Sequence, residues 1–254
     1  MECKVLEIIV CVKRVPDTET RIRILEDSCE ISSEGVKYIT SPYDEFALEA
    51  GVRMKEAHEP VCLTVLTLGD ERAQENLRNA LALGADQANL LRGSLTMDGL
   101  ATAKVLAKEI DSTKPDLVLF GVKAGDDDQQ QVGPMVATLL GYKCATNVSN
   151  FEIHESVATC QRQIEGGTEV IELPLPAVIT VTKGEFDPRY PSLKGIMAAK
   201  KKPLVTKDVE VPESRLIMTS LEYPPERDGI HMIEDGMDGI AELVQLLREE
   251  AKVL

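Results

Sequence analysis

Near its start the chain reads Val5-Leu-Glu-Ile-Ile-Val-Cys-Val12, a nearly continuous apolar run. This texture is typical of a strand that is buried on both faces of a parallel sheet. Three further apolar runs follow at 61–68, 88–91 and 116–121. Segments with helical spacing of apolar residues separate these runs, so each strand must reach the next through a crossover connection. The pattern therefore predicts an α/β fold with a doubly wound parallel sheet.

The predicted helices have recognisable start signals. Ser41 is placed to cap the first helix, with Pro42 at its first position and the acid Asp44 at its third. Asp70 and Asp98 precede the next two helical patterns and are expected to cap them.

Composition limits the class of protein. The 254 residues carry 28 Lys and Arg against 43 Asp and Glu, a net charge of −15, which argues against a nucleic-acid or anionic-membrane binder. No apolar run reaches the roughly 18 to 20 residues that a membrane span needs, and the N-terminus lacks the pattern of a secretory signal. None of the cysteines forms a CxxC pair, which predicts reduced thiols in a cytosol-like compartment. They are Cys3, Cys11, Cys29, Cys62, Cys144 and Cys160.

The sequence pattern changes after Gly141, where the alternation of apolar runs and helical segments ends. Residues 151–163 and 168–173 are predicted as hairpin strands around the turn Glu165-Gly166-Gly167, and a short apolar strand follows at 177–181. This part of the chain is expected to form a β-hairpin region.

The last quarter is rich in proline and charge. Residues 182–203 are predicted to be a loop, and residues 204–254 an extended arm with one amphipathic helix. We expect a domain at 1–203 that includes a loop at 184–202, which we call the docking loop for the reason given below. The arm is expected to pack on a partner subunit.

The strand ends indicate where a ligand would bind. In parallel sheets ligands lie beyond the carboxyl ends of the strands, which directs attention to the loops after Val12, Leu68 and Gly121. The last loop runs from Gly121 to Pro134 and leads into a helix whose free N–H groups favour anions. We assign phosphate binding to the backbone and glutamines of 130–132. The alternative is an acidic helix start that only caps itself.

Sites for bond-making chemistry are not evident. The chain has no GxxxxGK[ST] loop, and no GxGxxG follows the first strand. The histidines His58, His154 and His231 match no metal or triad spacing. Cys11 lies inside a predicted buried strand, and consecutive residues such as 126–128 rarely converge on one metal ion. We therefore predict neither a catalytic site nor a metal site.

The docking loop combines apolar residues with cations. Tyr190, Leu193, Ile196 and Met197 precede the three lysines Lys200, Lys201 and Lys202. Such a surface suits docking onto an acidic protein, where charge steers the encounter and a buried apolar residue gives specificity. The alternative is that the apolar residues cover the domain's own core.

Several motifs occur in order along residues 5–203 and carry a family resemblance. They are Val12-Lys-Arg-Val15, Ala80-Leu-Ala-Leu-Gly-Ala-Asp86, Asp126-Asp-Asp-x-x-Gln-Val-Gly-Pro134, Leu173-Pro-Leu-Pro-Ala177 and Pro188-Arg-Tyr-Pro-Ser-Leu-x-x-Ile-Met-x-Ala-Lys-Lys-Lys202. Together they resemble the β subunit of electron transfer flavoprotein.

The resemblance implies a fold of the adenine-nucleotide α-hydrolase kind, a structural AMP in this chain, and a heterodimer with an α subunit that holds the redox-active FAD. It implies an electron carrier rather than an enzyme, located in the bacterial cytoplasm or the mitochondrial matrix. Electrons would come from acyl-CoA-type dehydrogenases and go to a quinone oxidoreductase, and Leu193 matches the recognition-loop leucine. The implied cofactor contacts are Cys11, Ser41, Pro42, Tyr43, Asp44, Leu68, Gly121, Val122, Lys123, Ala124, Gly125, Asp126, Asp127, Asp128, Gln129, Gln130, Gln131 and Val132.

Two alternatives stay open. Val12-Lys-x-Val-Pro-Asp-Thr18, Gln131-Val-Gly-Pro134 and the pair Ala101-Thr102 resemble electron-bifurcating relatives, in which a second FAD replaces AMP. Asp126–Asp128 and Lys13-Arg14 resemble the AMP type, which we favour. The alternative from another class is a stand-alone adenine-nucleotide hydrolase of the same fold.

Overall fold

The computed structural model describes residues 5–26, 28–58, 60–93, 97–226, 229, 232–233 and 236–254. Cys3 and His231, which enter the arguments above on cysteines and histidines, lie outside the described residues.

Strands and helices alternate through the first half of the chain, and strands dominate the second half. The strands are β1 (Leu6–Cys11), β2 (Arg14–Pro16), β3 (Tyr38–Thr40), β4 (Val61–Gly69), β5 (Gln87–Arg92), β6 (Leu117–Gly121), β7 (Lys143–His154), β8 (Val157–Ile164), β9 (Gly167–Pro174), β10 (Ala177–Val181) and β11 (Leu204–Asp208). The helices are α1 (Pro42–Ala57), α2 (Gln74–Leu83), α3 (Gly99–Thr113), α4 (Val132–Leu140), α5 (Leu193–Ala199) and α6 (Met237–Glu249), and a 3₁₀ turn at Glu71–Ala73 precedes α2.

The main sheet has the order β11-β5-β4-β1-β6-β10-β7-β8-β9. The seven strands from β11 to β7 are parallel, and β8 and β9 continue the sheet as antiparallel hairpin strands. The predicted doubly wound α/β fold is confirmed. The chain moves outward from β1 to β5 and then returns to place β6 on the other side of β1, so the topological switch point lies between β1 and β6.

The apolar side chains of the central strand divide between two cores. Ile8 and Val10 on β1 pack in the core that contains residues of α1 and α2, such as Leu48. Ile9 and Cys11 pack in the core that contains residues of α3 and α4. Because successive strand residues point to opposite faces, the continuous apolar run of β1 serves both cores.

One predicted strand is two strands. The sequence analysis expected a single strand over 151–163, whereas β7 ends at His154 and β8 begins at Val157. The turn between them has Glu155 at a φ of 56° rather than a glycine, so no turn signal marks it in the sequence. The second turn has Gly166 at a φ of 81°, as its Gly-Gly sequence predicted.

The predicted loop and the predicted arm also contain regular structure. Helix α5 lies within 182–203, and the Ser192 hydroxyl caps it by accepting a hydrogen bond from Gly195 N (3.1 Å). Strand β11 pairs with β5 from Leu204 to Asp208, so the first residues of the predicted arm belong to the main sheet. The open edge of β5 takes this strand through backbone hydrogen bonds, which need no apolar run.

The first part of the arm contacts the chain's own domain. Asp98 accepts hydrogen bonds from Arg215 N (2.6 Å) and Leu216 N (3.0 Å), and the Tyr223 hydroxyl accepts one from Ile24 N (2.8 Å). Helix α6, near the end of the arm, exposes apolar residues such as Met237 and Ile240. Among the described residues, no helix is long and apolar enough to cross a membrane.

Candidate functional site

A cleft of about 370 Å³ opens at the carboxyl ends of β1, β4 and β6, at the switch point of the sheet. Its apolar walls include Leu66, Leu68, Leu106 and Phe120. The volume lies within the range of about 300 to 1,000 Å³ that is typical of small-molecule sites.

The structure places most of the predicted cofactor contacts around this cleft. The predicted contacts that line it are Cys11, Asp44, Leu68, Gly121, Val122, Lys123, Ala124, Asp126, Asp127, Gln129, Gln130, Gln131 and Val132. These residues are distant in sequence, and the strand ends bring them together.

The other predicted contacts do not line the cleft: Ser41, Pro42, Tyr43, Gly125 and Asp128. Ser41 is buried, and its hydroxyl donates a long hydrogen bond to the carbonyl of Lys123 (3.5 Å). Its side chain makes no capping hydrogen bond to α1, contrary to the expectation from the sequence. Ser41 instead supports the loop that follows β6.

Asp44 links the ends of β1 and β6. Its Oδ2 accepts a hydrogen bond from Lys13 N (2.7 Å), and its Oδ1 accepts one from Gly121 N (3.0 Å). Burial raises the pKa of this carboxyl to about 7, although the two backbone N–H groups favour the charged form. A Cβ at position 121 would lie 2.4 Å from Asp44 Oδ1, so this contact requires glycine.

Lysines neutralise the acidic loop after β6. The ammonium group of Lys13 lies 2.8 Å from a carboxylate oxygen of both Asp126 and Asp127, and Lys123 lies 2.7 Å from Asp128. Burial lowers the pKa of Lys13, but its hydrogen bonds to the two carboxylates outweigh this effect and raise the pKa above its ordinary value. The carboxylates are therefore held by cations, which reduces their repulsion of a phosphate.

Helix α4 directs its first turn toward the cleft. Gln131 is its N-cap residue, and Val132 is its first residue. Both line the cleft. The first N–H groups of a helix have no partner inside the helix and attract anions. The geometry at 130–132 is thus compatible with the predicted phosphate contact.

Two arginines that were not predicted as cofactor contacts also line the cleft. The guanidinium of Arg14 stacks on the ring of Tyr38 at 3.9 Å from its centroid, and Arg72 pairs with Asp70. The strand-end rule would have found Lys13 and Arg14, because they follow Val12, the last residue of the apolar run that contains β1. Tyr38 begins β3 after a long connecting segment that follows β2, and no signal in the sequence places it at the cleft. Other residues that line the cleft and were not predicted as cofactor contacts include Met97, Thr102, Leu106 and Phe120.

The buried Cys11 thiol is not activated for nucleophilic chemistry. Burial raises the pKa of the Cys11 thiol well above its ordinary value, which disfavours the reactive thiolate. Within the part of the chain that the structure describes, no group of His, Cys, Asp and Glu side chains is arranged to hold a metal ion.

The docking loop exposes its apolar residues. Tyr190 is 95% exposed, Leu193 82% and Met197 71%, so the interpretation that they cover the domain's own core is wrong. Lys200 and Lys201 are exposed as well. Lys202 differs, because its ammonium group donates hydrogen bonds to the carbonyls of Leu81 (3.0 Å) and Ala85 (2.5 Å) and fixes the loop to the domain.

A cleft at the switch point of a doubly wound sheet is the arrangement in which α/β proteins bind nucleotides and coenzymes. A family model described as the electron transfer flavoprotein domain matches residues 29–212. The electron transfer flavoprotein subunit beta of Syntrophomonas wolfei is 37% identical over 249 residues, covering 98% of each chain. The same subunit of Bacillus subtilis is 36% identical over 260 residues (98% of this chain, 100% of the relative), and that of Homo sapiens 36% over 251 (96% and 98%). The chain belongs to the electron transfer flavoprotein β-subunit family.

Proposed function

We propose that this chain pairs with an electron transfer flavoprotein α subunit and binds AMP in the switch-point cleft. In this proposal the α subunit holds the redox-active FAD, the docking loop binds acyl-CoA-type dehydrogenases, and electrons pass on toward a quinone oxidoreductase. The chain itself catalyses no bond-making step. The observation that carries the proposal is the cleft at the ends of β1, β4 and β6 in a member of this family.

The lining of the cleft suits an adenylate. Leu66, Leu68 and Phe120 offer an apolar surface for a flat base. The first turn of α4 offers N–H groups to a phosphate, and Lys13 holds the neighbouring carboxylates. A volume of about 370 Å³ lies within the usual range for ligand sites.

A second FAD in this cleft is the other candidate. Arg14 and Arg72 also line the cleft and carry positive charge that a second phosphate group would use. Together with the motifs that resemble bifurcating relatives, this keeps a second flavin as the competing proposal.

The nucleotide content of the purified heterodimer decides between these proposals. Acid release followed by chromatography is expected to give one AMP and one FAD per heterodimer. Two FAD and no AMP would favour the bifurcating type. Turnover of ATP by this chain alone would contradict the carrier role and favour a hydrolase.

A further inference from the structure

An ion cluster ties the docking loop to helix α1. The Arg189 guanidinium donates to both carboxylate oxygens of Glu49 (2.8 and 2.9 Å) and to both of Glu56 (2.6 and 2.9 Å). Arg53 donates from its Nε to Glu49 Oε1 (2.7 Å). Arg189 thus lies between two carboxylates of one helix and precedes the exposed Tyr190.

The cluster contains a buried carboxylate. Glu49 is only 4% exposed, and a buried carboxylate needs compensating partners. Arg189 and Arg53 supply those partners from two directions. Removing one partner of a buried charge costs far more than removing a surface ion pair. The position of Arg189, and of the loop that carries it, is therefore strongly fixed.

The backbone before Arg189 is held by the same helix. Arg53 Nη1 donates to the carbonyl of Glu185 (2.7 Å), and the Arg53 guanidinium lies 6.0 Å from the ring centroid of Phe186. Phe186 is buried, with its ring centroid 5.3 Å from that of Phe151. The start of the docking loop is anchored by packing as well as by charge.

The end of the loop is held by helix α2. Arg78 Nη1 donates to the carbonyls of Ala199 (2.8 Å) and Lys202 (2.9 Å). A Cβ at Gly195 would lie 2.3 Å from the carbonyl oxygen of Ala82, so α5 lies directly against α2 at this point. Both ends are fixed, while Leu193 between them remains exposed.

We propose that Arg189 is a positioning residue for docking, which acts through Glu49 and Glu56 to hold Tyr190 and Leu193 in a binding-ready arrangement. This inference rests on the proposed docking function and adds how the surface around Tyr190 and Leu193 is held in place before binding. A loop that is ordered before binding avoids the entropy cost of being ordered on binding. Loss of Arg189 therefore weakens docking although Arg189 is not itself an apolar contact.

The test measures reduction of the complete heterodimer by an acyl-CoA dehydrogenase and its acyl-CoA substrate. Arg189→Gln is expected to raise the KM for the heterodimer about tenfold, with kcat, flavin content and nucleotide content unchanged. Arg189→Lys keeps the charge but loses the bidentate geometry, and it is expected to restore the KM only in part. Arg162→Gln, which breaks an ion pair between β8 and β9, is the control and is expected to leave KM unchanged.

Leu193→Ala distinguishes the docking function of the loop from the positioning role of Arg189. If Leu193→Ala raises KM and Arg189→Gln does not, docking by the loop stands and the positioning role is overturned. If neither variant changes KM, the docking function and this inference both fail. A fall in kcat together with loss of flavin in Arg189→Gln would show a general structural role and overturn the inference.

Glu56→Gln provides a milder variant in case Arg189→Gln does not fold. Glu56 is partly exposed, so its substitution leaves no buried charge unpaired. It removes one of the two carboxylates that hold Arg189 and is expected to raise KM about threefold. An unchanged KM in this variant would overturn the positioning role.

Discussion

At the scale of residues, the site depends on a carboxylate that bridges two loops. Asp44 is in the first turn of α1, where the sequence analysis expected an acid that favours the helix start. Its carboxylate instead accepts hydrogen bonds from Lys13 N and Gly121 N. The residue type was predictable, but its partners were not, because they depend on how the strand ends meet.

Asp44 gives the protein a pH-dependent stability. Its pKa of about 7 in the folded chain lies above the value of about 3.9 in unfolded peptides, so the folded state binds its proton more tightly. The free energy of unfolding therefore falls as pH rises from about 4 to 7, with a slope of at most about 1.4 kcal/mol per pH unit. Asp44→Asn is expected to flatten this fall. Denaturant unfolding of both proteins between about pH 4.5 and 7.5 measures this slope, and equal slopes would contradict the assignment.

Gly121 and Gly125 form a matched pair for testing the cleft. A methyl group at 121 would lie 2.4 Å from Asp44 Oδ1, whereas one at 125 would have only ordinary contacts, 3.5 Å from Pro42 and 3.9 Å from Val15. Gly121→Ala is therefore expected to reduce AMP in the purified heterodimer to less than about a tenth, while Gly125→Ala retains it. Released AMP per heterodimer is the measurement. Equal AMP in the two variants would show that the β6 loop does not shape the nucleotide site.

At the scale of elements, Asp98 serves a helix and the arm together. It caps α3 by accepting from Ala101 N (2.7 Å), and it also accepts from Arg215 N and Leu216 N. The hydrogen bonds to Ala101 N and Arg215 N lower its pKa. The sequence analysis identified the cap but not the arm contact, because nothing in the local pattern links residues 98 and 215.

Asp98→Ala is expected to lower the Tm and to speed tryptic cleavage after Arg215, because both the cap and the anchor of the arm are lost. Asp70→Ala is the control: Asp70 caps the 3₁₀ turn and accepts its hydrogen bonds from Arg72 rather than from the arm, so cleavage after Arg215 is expected to stay at the wild-type rate. Equal cleavage in wild type and Asp98→Ala would contradict the anchoring of the arm by Asp98.

The elements that the sequence analysis found are those with strong local patterns. β1, β4 and β6 are buried apolar runs, so they were predictable. β11 alternates between half-buried and exposed residues at the sheet edge, and α5 buries only Ala199. β11 has no continuous apolar run, because backbone pairing with β5 determines it. α5 does carry Leu193, Ile196 and Met197 at helical spacing, but these side chains are exposed rather than packed on the domain.

At the scale of the whole molecule, the cleft lies where the strand order predicts it. The rule that ligands bind beyond the carboxyl ends of parallel strands predicted the loops after Val12, Leu68 and Gly121, and the family resemblance supplied the individual contacts. Residues of these loops line the cleft. Tyr38 was missed because it reaches the cleft from a segment outside the loops after β1, β4 and β6. Arg72 lies in the loop after β4, so the strand-end rule could have found it. The exposed apolar residues of the docking loop and of α6 lie outside the cleft.

The function proposed for this chain is that of one half of an electron-carrying heterodimer. The most direct test follows flavin absorbance by stopped flow when an acyl-CoA dehydrogenase and its substrate are mixed with the α subunit, with and without this chain. Rapid reduction of one flavin per heterodimer is expected only when this chain is present. Equal rates of flavin reduction with and without the chain would contradict it.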